Sequence, residues 1–267
     1  MDLQLAGKRA IVTGGSRGIG KAIARALALE GVDVALVART RATLEAAAEE
    51  LARETGRTIV PIKADTSDDE SVRGMGRQAV AALGGVDILV NCAAQPGGQG
   101  AVPGFEALTT EGHIWPDMNV KVFGYLRTAQ AVAPHMKAQG WGRIINISGL
   151  AARSAGSATG SMRNVAVAAL TKNLADELGP HGITVTVIHP GLTRTEATAG
   201  VLERRAQSQG ITVEEAEARM AEGNTVRRII DADDIAYVVT MLASPRSIAI
   251  NGDAIAAGGG VPRAIYY

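Results

Sequence analysis

Two groups of residues in this chain of 267 have types and spacings that could do chemistry. The first is Thr13-Gly14-Gly15-Ser16-Arg17-Gly18-Ile19-Gly20, set between the apolar run Ala10-Ile11-Val12 and an Ala/Leu-rich segment over 21–30. Glycines at 14, 18 and 20 let a strand turn sharply into a helix, and let a phosphate reach the helix N-terminus with no Cβ in the way. In that strand–turn–helix setting the spacing reads as a dinucleotide site. Its expected contacts are Gly14, Ser16, Arg17, Gly18, Ile19 and Gly20. The second group is polar and closes later apolar runs: Asp65-Thr66, Asn91 with Ala93, Ser148, and Pro190-Gly191 with Thr193. Ligands of open parallel sheets bind at the carboxyl edge of the strands, so these residues would share one crevice with the glycine turn.

Charge at the end of the second strand argues the cofactor. An acidic side chain there would bind a ribose 2′-hydroxyl and repel a 2′-phosphate. This chain has Ala38 followed by Arg39, with Arg17 inside the glycine turn. Two guanidinium groups near one spot favour a phosphate through charge-assisted, bidentate hydrogen bonds. NADP(H) is therefore expected over NAD(H), and no metal site is expected.

The elements that must position these groups alternate. Strand-like runs over 9–13, 32–38, 58–63, 86–91, 143–148 and 183–189 are separated by helix-like segments, among them 42–54, 113–139 and 161–178. Such alternation predicts a parallel sheet with helices on both faces. Ser67-Asp68-Asp69-Glu70 reads as a capping box, Ser67 at the N-cap and Glu70 reaching back. With no linker, composition break or repeat, residues 1–267 are expected to form one domain. Segment 196–223 is charged and reads as a solvated helix pair; because it follows Pro190-Gly191, 193–223 is expected to be a lid on the substrate. The tail 248–267 is expected to add a short strand and an apolar end suited to a subunit contact.

Composition narrows the partners. The 27 basic and 27 acidic side chains balance, which gives no global case for nucleic acid or an anionic membrane. Cys92 is the single cysteine, which excludes an intramolecular disulfide and suits a reducing cytoplasm. No basic-then-apolar leader opens the chain, and no apolar stretch of about 18 residues is present, so no membrane span is expected.

Taken together, the glycine turn, Asp65-Thr66, Asn91-Cys92-Ala93-Ala94, Asn119 in Met118-Asn119-Val120, Ile145-Asn146-Ile147-Ser148 and His189-Pro190-Gly191 resemble, in order and spacing, the short-chain dehydrogenase/reductase family over nearly the whole chain. The resemblance implies an α/β, three-layer, doubly wound parallel sheet (a Rossmann fold) of about seven strands. It implies that Asp65 contacts the adenine, that Asn91 and Ala93 line the cofactor channel, and that Pro190 to Thr193 cradle the nicotinamide. For Asp65 a helix-cap role is an equal alternative. It further implies Ser148 and Asn119 as catalytic residues, a small alcohol or carbonyl substrate, and a homo-oligomer, a tetramer or dimer.

The family carries a tyrosine twelve or thirteen residues after the serine and a lysine four residues beyond it. The phenol exchanges the proton while hydride moves, and the lysine lowers the phenol's pKa and holds the ribose. Here the matching positions are Gly160 and Asn164, and no tyrosine stands between Tyr125 and Tyr237. Asn164 could still bond the nicotinamide ribose, and a water in the space left by Gly160 could replace the phenol. Ser161, Arg163, His113 and His189 are the conceivable replacement donors. Three functions follow: an oxidoreductase with an altered relay, a non-catalytic dinucleotide-binding protein, or an isomerase or lyase using the same pocket.

Overall fold

Short apolar runs rich in Val and Ile, too brief for helices, become the strands of a computed structural model that describes residues 2–95 and 103–265. In chain order the elements are β1 (Arg9–Thr13), α1 (Gly18–Leu29), β2 (Asp33–Ala38), α2 (Arg41–Thr55), β3 (Ile59–Lys63), α3 (Asp69–Leu83) and β4 (Ile88–Asn91). A short α4 (Trp115–Met118) precedes α5 (Gly124–Gln139), β5 (Gly142–Ile147), α6 (Ala158–Leu178) and β6 (Ile183–Pro190). Then come β7 (Thr193–Arg194), α7 (Thr198–Gln209), α8 (Val213–Ala221), β8 (Ile230–Asp231), α9 (Ala232–Ala243) and β9 (Ala254–Ala257).

Seven of the strands form one sheet in the order β3-β2-β1-β4-β5-β6-β9, every pair parallel. Parallel strands covered on both faces need apolar side chains in both directions. Ala10, Val12, Val34 and Leu36 accordingly point to a core shared with Ile23, Leu27, Leu44, Leu51, Ile235 and Val239 of α1, α2 and α9. Ile11, Ala35, Val37 and Leu89 point the other way, to Val72, Met75, Val132, Met136 and Leu178 of α3, α5 and α6. The result is the three-layer, doubly wound arrangement that the alternating segments imply.

Several local expectations change. Ser67 is not the cap of α3: its amide and hydroxyl both go to Asp65 Oδ1 (2.9 and 2.7 Å), which turns the chain one residue further. Asp68 then accepts from Ser71 N, and Glu70 pairs with Arg73 and Arg77 instead of reaching back. Segment 113–139 is not one helix. Single π turns at Thr110–Ile114 and Asn119–Phe123 flank α4 before α5 begins. Helix α6 starts before residue 161 because the Ser157 hydroxyl caps Gly160 N at 3.1 Å. A two-stranded β7–β8 pair and helix α9 were not evident in the sequence pattern. The charged stretch after β6 does form two helices, α7 and α8, with a small core of Leu202, Ala206, Ala216, Met220 and Ile229. Residues 96–102, part of the loop after β4, and the terminal 266–267 lie outside the described residues.

Candidate active site

The strand order reverses between β1 and β4, and the turns that follow these two strands are stitched together there. Thr13 Oγ1 accepts from Cys92 N and Ala93 N at 3.0 and 3.2 Å. Gly14 has φ +67, and a Cβ on it would stand 3.0 Å from the Ala93 backbone. At Gly20 a Cβ would fall 2.3 Å from the Gly14 carbonyl oxygen. The turn is therefore a bare backbone cradle at the N-terminus of α1, whose cap, Arg17, is extended and makes no side-chain cap bond. With N–H groups that have no partner within the helix and no acidic residue in its first turn, such an end attracts anions. An anion of the protein's own stands there: the Glu196 carboxylate accepts from Gly18 N at 3.0 and 3.3 Å. The cradle and this stand-in carboxylate together fit a dinucleotide's phosphates. Ser16 and Ile19 are half-buried within the same turn.

Arg17 and Arg39 are exposed, Arg39 directly after β2 and its half-buried Ala38. Neither forms an ion pair among the described residues. Burial works to raise the Asp65 carboxyl, but hydrogen bonds from Ser67 and the charge of Arg39 outweigh it and hold the group below the usual carboxylate range. Asp65 thus closes the turn ahead of α3, while the cap itself is Asp68. Thr66 is buried and donates to Val120 O at 3.1 Å.

The Asn91 side chain turns inward. Thr128 Oγ1 donates to Asn91 Oδ1 (2.7 Å), Asn91 Nδ2 to Asn146 Oδ1 (2.9 Å), and Asn146 Nδ2 to Thr171 Oγ1 (2.9 Å). This fully buried ladder joins α5, β4, β5 and α6 beneath the crevice. Since each amide and hydroxyl has a partner, their burial carries no unmet hydrogen bond along the ladder.

At the end of β5 the site is built of side chains. Ser148 Oγ donates to the Asn164 carbonyl and Oδ1, both at 3.1 Å. A third group, Lys121, reaches the same place from the Asn119–Phe123 turn: its Nζ donates to Asn164 Oδ1 at 3.0 Å and to Ser148 O at 2.9 Å. Burial pushes the Lys121 ammonium down to about 7, helped by the nearby Arg163 charge and opposed by Cys92 and Asp117. Asn119 sits at the head of that turn, its Nδ2 3.4 Å from Ser67 O and its buried Oδ1 without a partner among the described residues. Tyr125 is buried and donates to Ile147 O at 2.9 Å; burial raises its phenol well above the usual range. Gly160 lies in the first turn of α6, where a Cβ would meet Ser157 Oγ at 3.0 Å.

Among the described residues none of the four candidate replacement donors hydrogen-bonds to Ser148 or Asn164. Ser161 donates to Ser154 O, and Arg163 is paired with Asp117 at 2.7 Å. His113 is exposed and its Nδ1 lies 3.0 Å from Thr109 Oγ1. His189 is buried beside this cluster. Burial first, then the Arg153 and Lys121 charges, push it to about 4, so the ring is neutral at pH 7. Beyond it, Pro190-Gly191 is tied to the C-terminal strand by Gly191 N to Ala257 O (3.3 Å), and Thr193 Oγ1 donates to Gly191 O at 3.1 Å.

A model of the short chain dehydrogenase family matches residues 8–206, which span the glycine turn, Ser148 and the Pro190–Thr193 segment. The chain belongs to this family. Among its relatives, "Short-chain reductase protein NovJ" of Streptomyces niveus is 36% identical over 255 residues, covering 95% of this chain and 93% of that protein. "Probable galactose dehydrogenase GalD" of Rhizobium meliloti (strain 1021) is 37% identical over 254 residues, 94% of this chain and 93% of that one. In structure, L-sorbose reductase from Gluconobacter frateurii, solved in complex with NADPH and L-sorbose, superposes with a TM-score of 0.91 at 28% identity, covering 99% and 100% of the two chains.

Within the short-chain dehydrogenase chain described here, the sheet brings most of the expected residues to one edge. The glycine turn, Ala93, Ser148, Asn164 and Pro190–Thr193 all follow carboxyl ends of β1, β4, β5 and β6 or face them from α6. Asn91 and Thr66 spend their side chains inside the fold instead. Lys121 escaped the sequence pattern altogether. Its signal was a lysine between Val120 and Val122, a buried triplet that a π turn packs on several sides at once.

Proposed function

We propose that the protein is an NADP(H)-dependent oxidoreductase for a small alcohol or carbonyl, with a proton relay other than the family's tyrosine and lysine. The observation that carries this reading is the placement of Ser148 and its polar cluster on the same sheet edge as the anion-binding end of α1. A reductase name among the relatives and NADPH in the L-sorbose reductase structure support it.

In this reading the glycine turn and Gly18 N hold the pyrophosphate, and Arg17 and Arg39 hold the 2′-phosphate. Pro190, Gly191 and Thr193 border the nicotinamide, which when bound supplies or accepts the hydride. Ser148 orients the substrate oxygen, Asn119 Oδ1 holds a water, and Asn164 lies beside the ribose. Gly160 and Asn164 occupy the positions of the tyrosine and lysine. Segment 193–223 acts as the lid, held by Arg194 pairs to Glu217 (2.5 Å) and Asp231 (3.2 Å). The exposed apolar Trp115, Met162 and Val165 on α4 and α6 favour assembly with further copies.

Titrating NADPH and NADH against wild type and Arg39→Ala tests the cofactor. A preference for NADPH that vanishes in the variant is expected; equal affinities in wild type refute it. The second reading, a dinucleotide-binding protein without turnover, is favoured by the missing phenol at 160 and missing ammonium at 164. A carbonyl and alcohol panel separates the two: turnover by Gly160→Tyr/Asn164→Lys and none by wild type would select the binding protein.

A further inference from the structure

We propose that Lys121 is the proton donor and acceptor of this site, its ammonium held between Ser148 O and Asn164 Oδ1 and standing in for the charge and the proton that residues 160 and 164 lack. This rests on the oxidoreductase reading. Three features of the geometry carry it. Lys121 Nζ and Ser148 Oγ lie within 3.1 Å of one atom, Asn164 Oδ1, so a substrate oxygen placed by the serine is within reach of the ammonium directly or through one water. Two of its three N–H groups are spent on Ser148 O and Asn164 Oδ1, which aims the third and fixes the head group. Lys121 is 4% exposed, yet among the described residues no carboxylate is hydrogen-bonded to it; Asp117, whose charge acts on it, is already paired with Arg163.

The groups facing it are Arg163 from α6, Asp117 from α4, Cys92 after β4 and His189 at the end of β6; Arg153 acts on His189, and Tyr125 on α5 lies by Cys92 and Arg163. Cys92 and Tyr125 are pushed upward and stay protonated, and His189 stays neutral. Burial brings the Lys121 charge change near neutral pH, where a general acid or base works best. In reduction, a bound nicotinamide would supply hydride to the carbonyl carbon, and the carbonyl electron pair would move to oxygen. An N–H bond of Lys121 breaks as the O–H bond forms, and the neutral amine regains its proton from water. Oxidation runs the same exchange backwards.

The test joins a spectrum to a rate, both on the full chain. In ¹³C-lysine NMR, one ε-methylene signal should titrate near pH 7 and be missing from Lys121→Met. The best carbonyl substrate of a panel with NADPH should give a kcat/KM that falls as pH rises through the same midpoint. Lys121→Met should lose at least about 100-fold and flatten that profile. Lys121→Arg keeps the charge but holds its proton too tightly, so it should be as slow, while both variants bind NADPH within a few-fold of wild type. A Lys121 signal that titrates only with the ordinary lysines overturns the proposal, even if the variants fail to fold. So does a Lys121→Met enzyme that keeps the wild-type rate and profile, which would overturn the lysine alone. No wild-type turnover across the panel overturns the oxidoreductase reading and this role with it.

Discussion

The two ends of the crevice are made of different material. Around β1 and α1 the site is backbone: Gly14, Gly18 and Gly20 present N–H groups and no side chain, and at Gly20 a Cβ would fall 2.3 Å from the Gly14 carbonyl oxygen. Around β5 and α6 it is side chain: Ser148, Asn164 and Lys121 share hydrogen bonds across three elements. A backbone cradle has no substitute, because any Cβ fills it. A side-chain cluster can be rebuilt, because a charge can enter from a neighbouring element, as the Lys121 ammonium does from the Asn119–Phe123 turn. One end of the site is therefore expected to be brittle and the other replaceable, and the predictions below are ways to break that contrast.

Gly20→Ala should do the most damage. Its Cβ would lie 2.3 Å from the Gly14 carbonyl oxygen, a backbone atom that cannot swing aside. Overpacking of this kind costs about 1–3 kcal/mol or more, and the turn itself must open to relieve it. A clear drop in Tm together with loss of NADPH binding is expected. Normal binding by this variant would show that the cradle has slack and would remove the contrast.

At the side-chain end, the largest effect is in pH. The His189 ring is neutral in the folded chain down to about pH 4, whereas an unfolded imidazole protonates near 6.5. Between those values the unfolded chain binds the extra proton, so stability falls as pH drops from 6.5 to 4 and this loss ends below 4. A shift of that size amounts to roughly 3 kcal/mol. Denaturant melts at pH 7 and pH 4.5 should show a smaller acid loss for His189→Asn than for wild type. Parallel losses in the two proteins would mean that the ring is solvated.

Asn91→Ala joins the two ends. The variant strands Asn146 Oδ1 in a buried ladder, at about 1–3 kcal/mol for the group left unpaired, while the Thr128 hydroxyl keeps its bond to Tyr125 O. Stability should fall while the ratio of NADPH to NADH affinity stays as in wild type. A changed ratio would show that the Asn91 side chain reaches the cofactor after all.

The same contrast explains what could be read in advance. Strands β1 to β6 and the glycine turn were legible because β-branched runs and glycine spacing are local signals, and parallel pairing then aligned their ends. The cap of α3 was misplaced by one residue because Asp65 captures Ser67, a competition between two neighbouring polar groups. Strands β7 and β8 have two residues each, too few for any periodicity. The Ser148–Asn164–Lys121 cluster brings together residues 27 and 43 positions from Lys121, through a π turn that shifts the helical register. Nothing at position 121 itself announces those partners.

The smallest effect probes the point where the brittle end meets a side chain. Glu196, just after β7, lays its carboxylate on Gly18 N, the place a phosphate would take. Gly18 also faces Thr195, where a Cβ on the glycine would approach Cγ2 at 3.4 Å, so the segment after β7 rests on the turn. Binding of a dinucleotide must then displace one anion with another. A charge at an exposed helix N-terminus is worth about 0.3–1 kcal/mol. Glu196→Gln should therefore raise NADPH affinity about two- to five-fold at low ionic strength. The gain should shrink in high salt, as screening removes the carboxylate's advantage. Fluorescence titration of both proteins at two salt concentrations measures it. Weaker binding by the glutamine variant would mean that the carboxylate holds the segment after β7 in its binding position rather than competing for the cradle, and the two ends of the site would then be coupled through β7.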